Sequence, residues 1–149
     1  MTLTYRPLVE ADVPAIAGVH RRACLIAYRF MNWSYSEREV RDWYAGIFRT
    51  WDWTLVAEEN TAVVAFVAAT GAHIDQLFVD PAHQGRGIGD VLLRAAPERM
   101  LGLVTLTVFE ENAAARAYYE RHGFEAAGSY FDDEQQAVDL VYRRDRTSG

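Results

Sequence analysis

Few residues in this sequence could cross-link the chain or anchor it in a membrane. Cys24 is the only cysteine, so no disulfide can form within the chain. The first residues lack the basic and then apolar pattern of a secretory signal peptide, and no apolar run approaches the length of a membrane span. Positive charge is also scarce, because 15 Lys and Arg stand against 21 Asp and Glu and give a formal net charge of −6. Such a chain would repel nucleic acid and anionic membranes, and it would accommodate a cationic or amine partner.

The hydrophobic content is enough for one core. Of the 149 residues 50% are hydrophobic, and no repeat, low-complexity tract or shift in composition marks a linker. We therefore expect one domain, residues 1–149, in a soluble cytoplasmic protein with neither nucleic acid nor a membrane as its partner.

The pattern of apolar and turn residues predicts strands and helices that mix rather than alternate strictly. Apolar runs predict seven strands, at residues 3–8, 53–58, 62–70, 72–79, 103–109, 124–131 and 137–143. Helical spacing predicts four helices, at residues 13–27, 36–48, 87–96 and 112–122. The second opens with a capping box at Ser36 and Glu39, and Pro97 should kink or end the third. The predicted class is α/β of the mixed, α+β kind.

The segment from His73 to Asp90 organises the rest of the chain. An apolar strand turns at Asp80-Pro81 and passes through a glycine-rich loop into a helix. The three alternating glycines leave the backbone free of Cβ atoms, so an anionic ligand can approach the N–H groups at the helix start. The loop lacks the Gly-Lys-Ser/Thr of a P-loop, and Asp90 stands where the dinucleotide fingerprint needs glycine. The loop indicates phosphate binding by another route, with a flexible connector as the alternative.

A second motif extends from Asn112 to Phe124. Asn112 is a good helix N-cap, and Gly123 followed by an apolar residue is the usual left-handed helix stop. Asn112, Ala115 and Tyr119 recur at helical spacing, so the small Ala115 leaves space between two polar side chains on one face. The cap and the stop account for the two helix ends. They do not account for the polar face, which is therefore a candidate for a functional role.

Together the two motifs resemble those of the GNAT superfamily of N-acetyltransferases. The run Gln84-Gly85-Arg86-Gly87-Ile88-Gly89 resembles the family's Arg/Gln-x-x-Gly-x-Gly/Ala signature. The segment from Asn112 resembles the family's Asn-x-x-Ala-x-x-x-Tyr-x-x-x-Gly-Phe pattern, and the resemblance covers essentially the whole chain in order. It implies a GNAT fold, in which a central mixed, mostly antiparallel sheet of about seven strands is flanked by about four helices.

The activity that the resemblance implies is direct transfer of an acetyl group from acetyl-CoA, the cosubstrate, to a primary amine, without a metal. The amine, whether a small molecule or part of a peptide, stays open, and so does a homodimer. A non-catalytic acyl-CoA-binding sensor with the same fold is the alternative. An acyl group larger than acetyl also stays open, and only the depth of the pocket near Leu77 and Phe109 bears on it.

Residue roles follow from the matched positions. Tyr119 would be the general acid that protonates the departing thiolate, since a phenol with a pKa near 10 is a reasonable donor to it; a packed tyrosine is the alternative. Residues 84–89 would hold the pyrophosphate, and Asn112 would contact the coenzyme or only cap its helix. The strand segment whose backbone would pair with the pantetheine arm and polarise the acetyl carbonyl is Leu77, Phe78 and Val79.

Two residues on the fourth strand are candidates for the general base. Thr107 stands where ribosomal-protein N-terminal acetyltransferases have a glutamate, so that assignment fails here. Histone-type members have a glutamate at the place of His73, and arylalkylamine-type members have histidines at the places of His73 and Asp75. With a strand period of two, His73 and Asp75 share a face. Their ordinary pKa values favour His73 as the base and Asp75 as the amine-binding group, and either could act directly or through water.

Other residues keep a structural and a functional interpretation. Asp90 replaces the Lys, Arg, Ser or Thr of many family members, and its carboxylate disfavours a pyrophosphate unless it points outward from the helix. Cys24 should be packed in the core, and His20 should be either a core histidine or part of the site. The aromatic residues between 28 and 35 are either core or the wall of an amine pocket.

Overall fold

The computed structural model describes residues 2–31, 33–97, 100 and 102–145, and the outermost ends of the predicted 1–149 domain lie outside these ranges. The strands are β1 (Leu3–Arg6), β2 (Trp53–Glu59), β3 (Ala62–Thr70), β4 (His73–Val79), β5 (Leu103–Phe109), β6 (Glu125–Asp132) and β7 (Ala137–Asp145). The α-helices are α1 (Val13–Ala27), α2 (Glu37–Ile47), α3 (Ile88–Arg94) and α4 (Ala113–Arg121).

The strands form one mixed sheet in the order β1-β2-β3-β4-β5-β7-β6. Neighbouring strands are antiparallel except β4 and β5, which run parallel and pair in register at His73 and Thr105. The predicted fold class, a mostly antiparallel sheet of about seven strands with about four helices, is confirmed. The parallel junction in the middle of this sheet is where the site is built.

Apolar side chains cover both faces of the sheet. Helices α1 and α2 pack on one face, where Ile16, Val40 and Phe66 are buried together. Helix α3 packs on the other face, where Ile88 and Leu92 are buried. The helical spacing of apolar residues accounts for this, because each helix presents one apolar stripe to the sheet.

Two predicted boundaries illustrate how local chemistry sets an element's ends. The capping box of α2 is present, with the Glu39 N–H donating to Ser36 Oγ at 3.1 Å and the Ser36 N–H donating to Glu39 Oε1 at 2.9 Å. Strand β1 ends at Arg6 rather than at the predicted residue 8. Pro7 has no N–H with which to continue the ladder.

The third helix is shorter than the predicted span of residues 87–96. Gly87 has a left-handed φ of 78° and therefore precedes the helix. Ala95 has φ −78° and ψ 0° and leaves the helical region after Arg94. The helix ends before Pro97, as predicted.

A β-bulge interrupts β4. Ala68 pairs with Gln76 and Ala69 pairs with Ile74, so Asp75 is an extra residue on β4. A bulge bends its strand and breaks the alternation of side chains. The period of two that predicts a shared face for the two base candidates is therefore broken at Asp75. Within the described residues, pairing between β4 and β5 does not continue past this bulge.

Candidate active site

A cleft of about 470 Å³ lies where β4 and β5 separate. The two strands contribute residues 74–78 and 106–109 to its wall, and α4 with its N-cap contributes Asn112, Ala115 and Tyr119. Residues of α1, the α1–α2 connection, α2 and the β6–β7 hairpin complete the wall. The polar face of the second sequence motif therefore lies beside the separated strands.

The backbone of β4 offers hydrogen-bonding groups to this opening. The Asp80 N–H donates to the Val64 carbonyl at 2.8 Å, and bonded pairs alternate with unbonded pairs along an antiparallel ladder. The N–H and C=O of Phe78 are therefore directed at β3. Those of Leu77 and Val79 are directed away from β3, to the side where β5 has separated, and the Val79 carbonyl there accepts a hydrogen bond from Gln84 Nε2 at 3.2 Å. Of the three predicted strand residues, Leu77 and Val79 have the N–H groups that an extended ligand could reach.

The glycine loop that follows β4 needs its glycines for conformation. Gly85 and Gly87 have φ values of 80° and 78°, and a Cβ atom added to either would meet nothing within 4 Å. Ile88 is buried, and Gln84 Nε2 donates to the Val79 carbonyl at 3.2 Å, so both ends of the loop are fixed. The uncovered backbone and the first N–H groups of α3, which have no acceptor inside their helix, fit an anionic group.

Two charged side chains of this region are paired with other elements. Arg86 donates to the Glu59 carboxylate at 2.6 and 3.3 Å, so its guanidinium is engaged with β2. Asp90 accepts a hydrogen bond from Tyr118 Oη at 2.9 Å and lies 3.1 Å from His122 Nε2. The Asp90 carboxylate thus extends from α3 toward α4 and is engaged there.

Tyr119 lines the cleft from α4, and its ring lies 5.6 Å from that of Phe124 in a T-shaped contact. Burial raises the pKa of Tyr119 above that of free tyrosine, so its hydroxyl stays protonated near neutral pH. Tyr119 is therefore available as a proton donor.

Asn112 caps α4, because its Oδ1 accepts a hydrogen bond from the Ala115 N–H at 3.2 Å, and it also lines the cleft.

The two base candidates have different surroundings. Asp75 lines the cleft, and its Oδ2 accepts a hydrogen bond from Thr70 Oγ1 at 2.7 Å. His73 Nδ1 lies 2.7 Å from Thr105 Oγ1 at the junction of β4 and β5. Among the described residues, His73 is not part of the cleft wall. The roles assigned to both residues stay predictions.

Part of the cleft wall combines aromatic rings with carboxylates, and we call it the acceptor chamber. Its aromatic residues are Tyr28, Trp33, Tyr35, Trp43 and Tyr130. Its carboxylates are Glu39, Asp132, Glu134 and Asp139. Aromatic faces and carboxylates both attract cations, so the chamber suits an amine-bearing molecule.

His20 belongs both to the core and to the cleft wall. Its Nδ1 lies 2.5 Å from Tyr44 Oη, and its ring centroid lies 4.5 Å from that of Phe78. Burial lowers the pKa of His20 to about 4, so the ring is neutral and adds no positive charge to the cleft. Cys24 on the same helix is fully buried and burial raises the pKa of its thiol, in agreement with the predicted packing role.

Sequence reasoning misses Asp139, a carboxylate in the cleft wall that is only 7% exposed. It lies on β7, in register with Tyr130 on β6. Burial raises the pKa of Asp139 and the Asp132 carboxylate acts in the same direction, while a hydrogen bond from Tyr130 opposes both. The signal that could have found it is an acidic residue between Val138 and Leu140, inside an apolar strand.

The described residues contain no group of three or more His, Cys, Asp or Glu side chains that could hold a metal ion. In the same part of the chain, no helix has both the length and the apolar character needed to cross a membrane.

Comparison with known proteins identifies the family. The sequence model of the acetyltransferase (GNAT) domain matches residues 50–126, just over half of the chain. The chain therefore belongs to the GNAT acetyltransferase family. The matched range contains the separated strands, the glycine loop and α4.

Individual relatives extend this comparison. Peptidyl-lysine N-acetyltransferase YjaB of Salmonella typhimurium is 39% identical over 82 residues, which cover 54% of this chain and 55% of that protein. The chain thus spans about half the length of the curated relatives it matches first. The solution structure of apo-form YjaB from Escherichia coli has a TM-score of 0.79 at 25% identity and covers 96% of this chain and 97% of its own. The crystal structure of paia N-acetyltransferase from Thermoplasma acidophilum in complex with coenzyme A shares the fold, with a TM-score of 0.72, 18% identity and coverage of 97% and 99%.

Proposed function

We propose that this chain transfers the acetyl group of acetyl-CoA to a cationic primary amine, with the lysine side chain of a peptide as the preferred acceptor. The observation that carries the proposal is the meeting of Tyr119, the open backbone of β4 and the acceptor chamber in one cleft. The names of the relatives support it, since YjaB is a peptidyl-lysine N-acetyltransferase and the Thermoplasma structure contains coenzyme A.

The coenzyme would be held by backbone more than by side chains. When bound, acetyl-CoA supplies the thioester and the thiolate leaving group. Residues 84–89 would receive the pyrophosphate on their N–H groups, and Asn112 would add a contact from α4. The N–H groups of Leu77 and Val79 would pair with the pantetheine arm, and one of them would face the acetyl oxygen where negative charge develops.

Protons would move at both ends of the transferred group. Tyr119 would donate its phenolic proton to the departing sulfur, and its raised pKa means that the proton is present beforehand. Asp75, in the cleft wall, would bind the incoming ammonium. His73 would accept the ammonium proton through water, since within the described residues it is not part of that wall.

The acceptor chamber explains why the amine would be a cation. Its carboxylates and the net charge of −6 attract positive charge, and its aromatic faces accept both a charge and an apolar stem. His20, whose pKa is about 4, does not oppose this attraction. A lysine side chain combines an ammonium group with a flexible apolar stem.

The test is release of coenzyme A from acetyl-CoA in the presence of a panel of amines. A thiol reagent can follow the release, because Cys24 is the chain's only cysteine and is fully buried. We expect turnover with lysine-containing peptides and little with amines that are uncharged at the assay pH or that also carry acidic groups. The chain contains no lysine, so any acetyl-lysine formed comes from the added peptide. Tight acetyl-CoA binding without release across the panel would contradict the proposal and identify a non-catalytic sensor.

A further inference from the structure

Glu59, the last residue of β2, is a buried carboxylate bound to the glycine loop. Glu59 is only 7% exposed to solvent. Arg86 Nη2 donates to Oε2 at 2.6 Å, and Arg86 Nη1 donates to Oε1 at 3.3 Å. His83 Nε2 lies 3.6 Å from the same carboxylate. One carboxylate thus contacts residues on both sides of Gly85.

The contact with Arg86 falls at the centre of the loop. Arg86 stands between Gly85 and Gly87, the two glycines with left-handed backbone. Glycine gives a loop wide conformational freedom, and a ligand that binds a free loop must offset the entropy lost in ordering it. A bidentate pair with a carboxylate fixes both the position and the orientation of a guanidinium. The hydrogen bonds from Arg86 hold the pKa of Glu59 below its usual range, so the pair stays ionised.

We propose that Glu59 is a positioning residue for acetyl-CoA, which holds the loop through Arg86 in the shape that receives the pyrophosphate. The sequence motif places Arg86 among the pyrophosphate ligands, but its guanidinium is engaged with Glu59. Arg86 then acts by fixing the backbone on either side of it. The inference rests on the proposed function and adds to it a residue from another strand.

The opposite arrangement has the opposite consequence. If Arg86 left Glu59 to bind the pyrophosphate, Glu59 would compete with the ligand for the guanidinium. Removing the charge of Glu59 would then tighten the binding of acetyl-CoA. The sign of the change in affinity therefore separates the two arrangements.

The experiment measures acetyl-CoA binding by calorimetry, together with kcat, both KM values and Tm, for wild type and three variants. Glu59→Gln keeps the side chain's shape and removes its charge, and we expect Kd and KM for acetyl-CoA to rise roughly tenfold. The kcat at saturating acetyl-CoA and the KM for the amine should not change. Glu10→Gln, which removes the exposed ion pair with Arg49 at 2.6 Å, is the matched control and should change none of these values.

The double variant Glu59→Gln/Arg86→Gln tests whether the two residues act as one unit. It should bind acetyl-CoA no more weakly than Glu59→Gln alone. If Glu59→Gln fails to fold, Glu59→Asp, which shortens the side chain and breaks the bidentate contact while Arg86 stays, takes its place, because the sign of its change in Kd separates the same two arrangements. An unchanged or lower Kd in Glu59→Gln, or a further loss in the double variant, would overturn the inference. Wild-type protein that does not bind acetyl-CoA would overturn the proposed function itself, and the inference with it.

Discussion

At the scale of single residues, burial sets the protonation states in the cleft. It raises the pKa of Tyr119 and of Asp139 alike, because desolvation disfavours both a phenolate and a carboxylate. The shift keeps the Tyr119 hydroxyl protonated, and it moves the pKa of Asp139 upward, toward neutral pH. The same loss of water lowers the pKa of His20 to about 4. One cleft therefore holds a proton donor and an anionic group without positive charge from His20.

Tyr119→Phe tests the proton donor, because it keeps the packed ring and removes only the phenolic proton. We expect the rate of acetyl transfer to fall roughly 10- to 1000-fold while the Kd for acetyl-CoA changes little. Rapid-quench measurement of a single turnover isolates the chemical step. Tyr118→Phe, which removes the hydrogen bond to Asp90, is the control and should keep the wild-type rate of transfer. A Tyr119→Phe variant that transfers acetyl as fast as wild type would exclude the role.

Asp139→Asn tests whether the buried carboxylate binds the acceptor. Steady-state kinetics should show a KM for a lysine peptide about tenfold higher, because the ammonium loses a charge-assisted partner, and an unchanged KM for acetyl-CoA. The difference from wild type should shrink as the pH falls, since a carboxylate with a raised pKa is protonated sooner. Asp133→Asn, an exposed neighbour on the same hairpin, serves as the control. Equal peptide KM values for both variants would rule out this contact.

At the scale of elements, the site depends on two irregularities. The bulge at Asp75 ends the pairing of β4 with β5 and leaves the outward N–H groups of Leu77 and Val79 available. The left-handed loop before α3 presents uncovered backbone at the end of the same strand. Buried residues flank both irregularities, Ile74 beside the bulge and Ile88 after the loop. The surrounding core therefore holds each in place.

Gly87→Val tests the loop's conformation separately from its space. A Cβ atom at Gly87 would have room, but a β-branched residue at a φ of 78° carries a backbone strain of about 1–3 kcal/mol. We expect the loop to leave its present shape and calorimetry to show at least a tenfold weaker binding of acetyl-CoA, with the fold intact by circular dichroism. Gly46→Ala in α2, which also has room but no positive φ, should bind normally. Unaltered affinity in Gly87→Val would show that the loop does not bind the coenzyme.

Local structures formed by neighbouring residues, such as helix caps and helix ends, could be predicted from the sequence, whereas contacts between distant segments could not. The capping box at Ser36 and the end of α3 before Pro97 each depend on a few neighbouring residues. The bulge at Asp75 depends on register with another strand, which the sequence of β4 alone does not specify. The burial of Asp139 requires β5 and β6 on either side of it. The partner of Arg86 likewise lies on a different element, so the motif alone suggested a ligand where the structure has an ion pair.

At the scale of the whole molecule, helices on opposite faces hold together a sheet that is open at its centre. Helices α1 and α2 contact each other, and α1 also contacts β3 and β4. The hydrogen bond between His20 and Tyr44 joins the two helices where they meet the cleft. Acid that charges His20 would therefore weaken the support of one cleft wall.

The pH dependence of stability tests this. Burial lowers the pKa of His20 from its ordinary value of 6.5 to about 4 in the folded protein. Between pH 4 and pH 6.5 the unfolded chain therefore binds a proton that the folded protein does not. The stability linked to His20 is complete above pH 6.5 and is lost as the pH falls to 4, by about 3 kcal/mol in total. Urea unfolding of His20→Gln should show that wild type loses about that much more free energy of unfolding on acidification. A difference between the two proteins that is constant from pH 4 to 8 would contradict the prediction.

In the part of the chain that the structure describes, β4 and β5 share one registered pair, His73 with Thr105, and the middle of the sheet is therefore a seam. A pantetheine arm paired with the N–H groups of Leu77 and Val79 would fill this seam as an added strand does and would extend hydrogen bonding along it. Local unfolding of the strands on either side of the seam would then also break the hydrogen bonds to the ligand, since a ligand that binds only the native state stabilises it. The supply of acetyl-CoA would in this way govern the lifetime of the folded chain as well as its turnover.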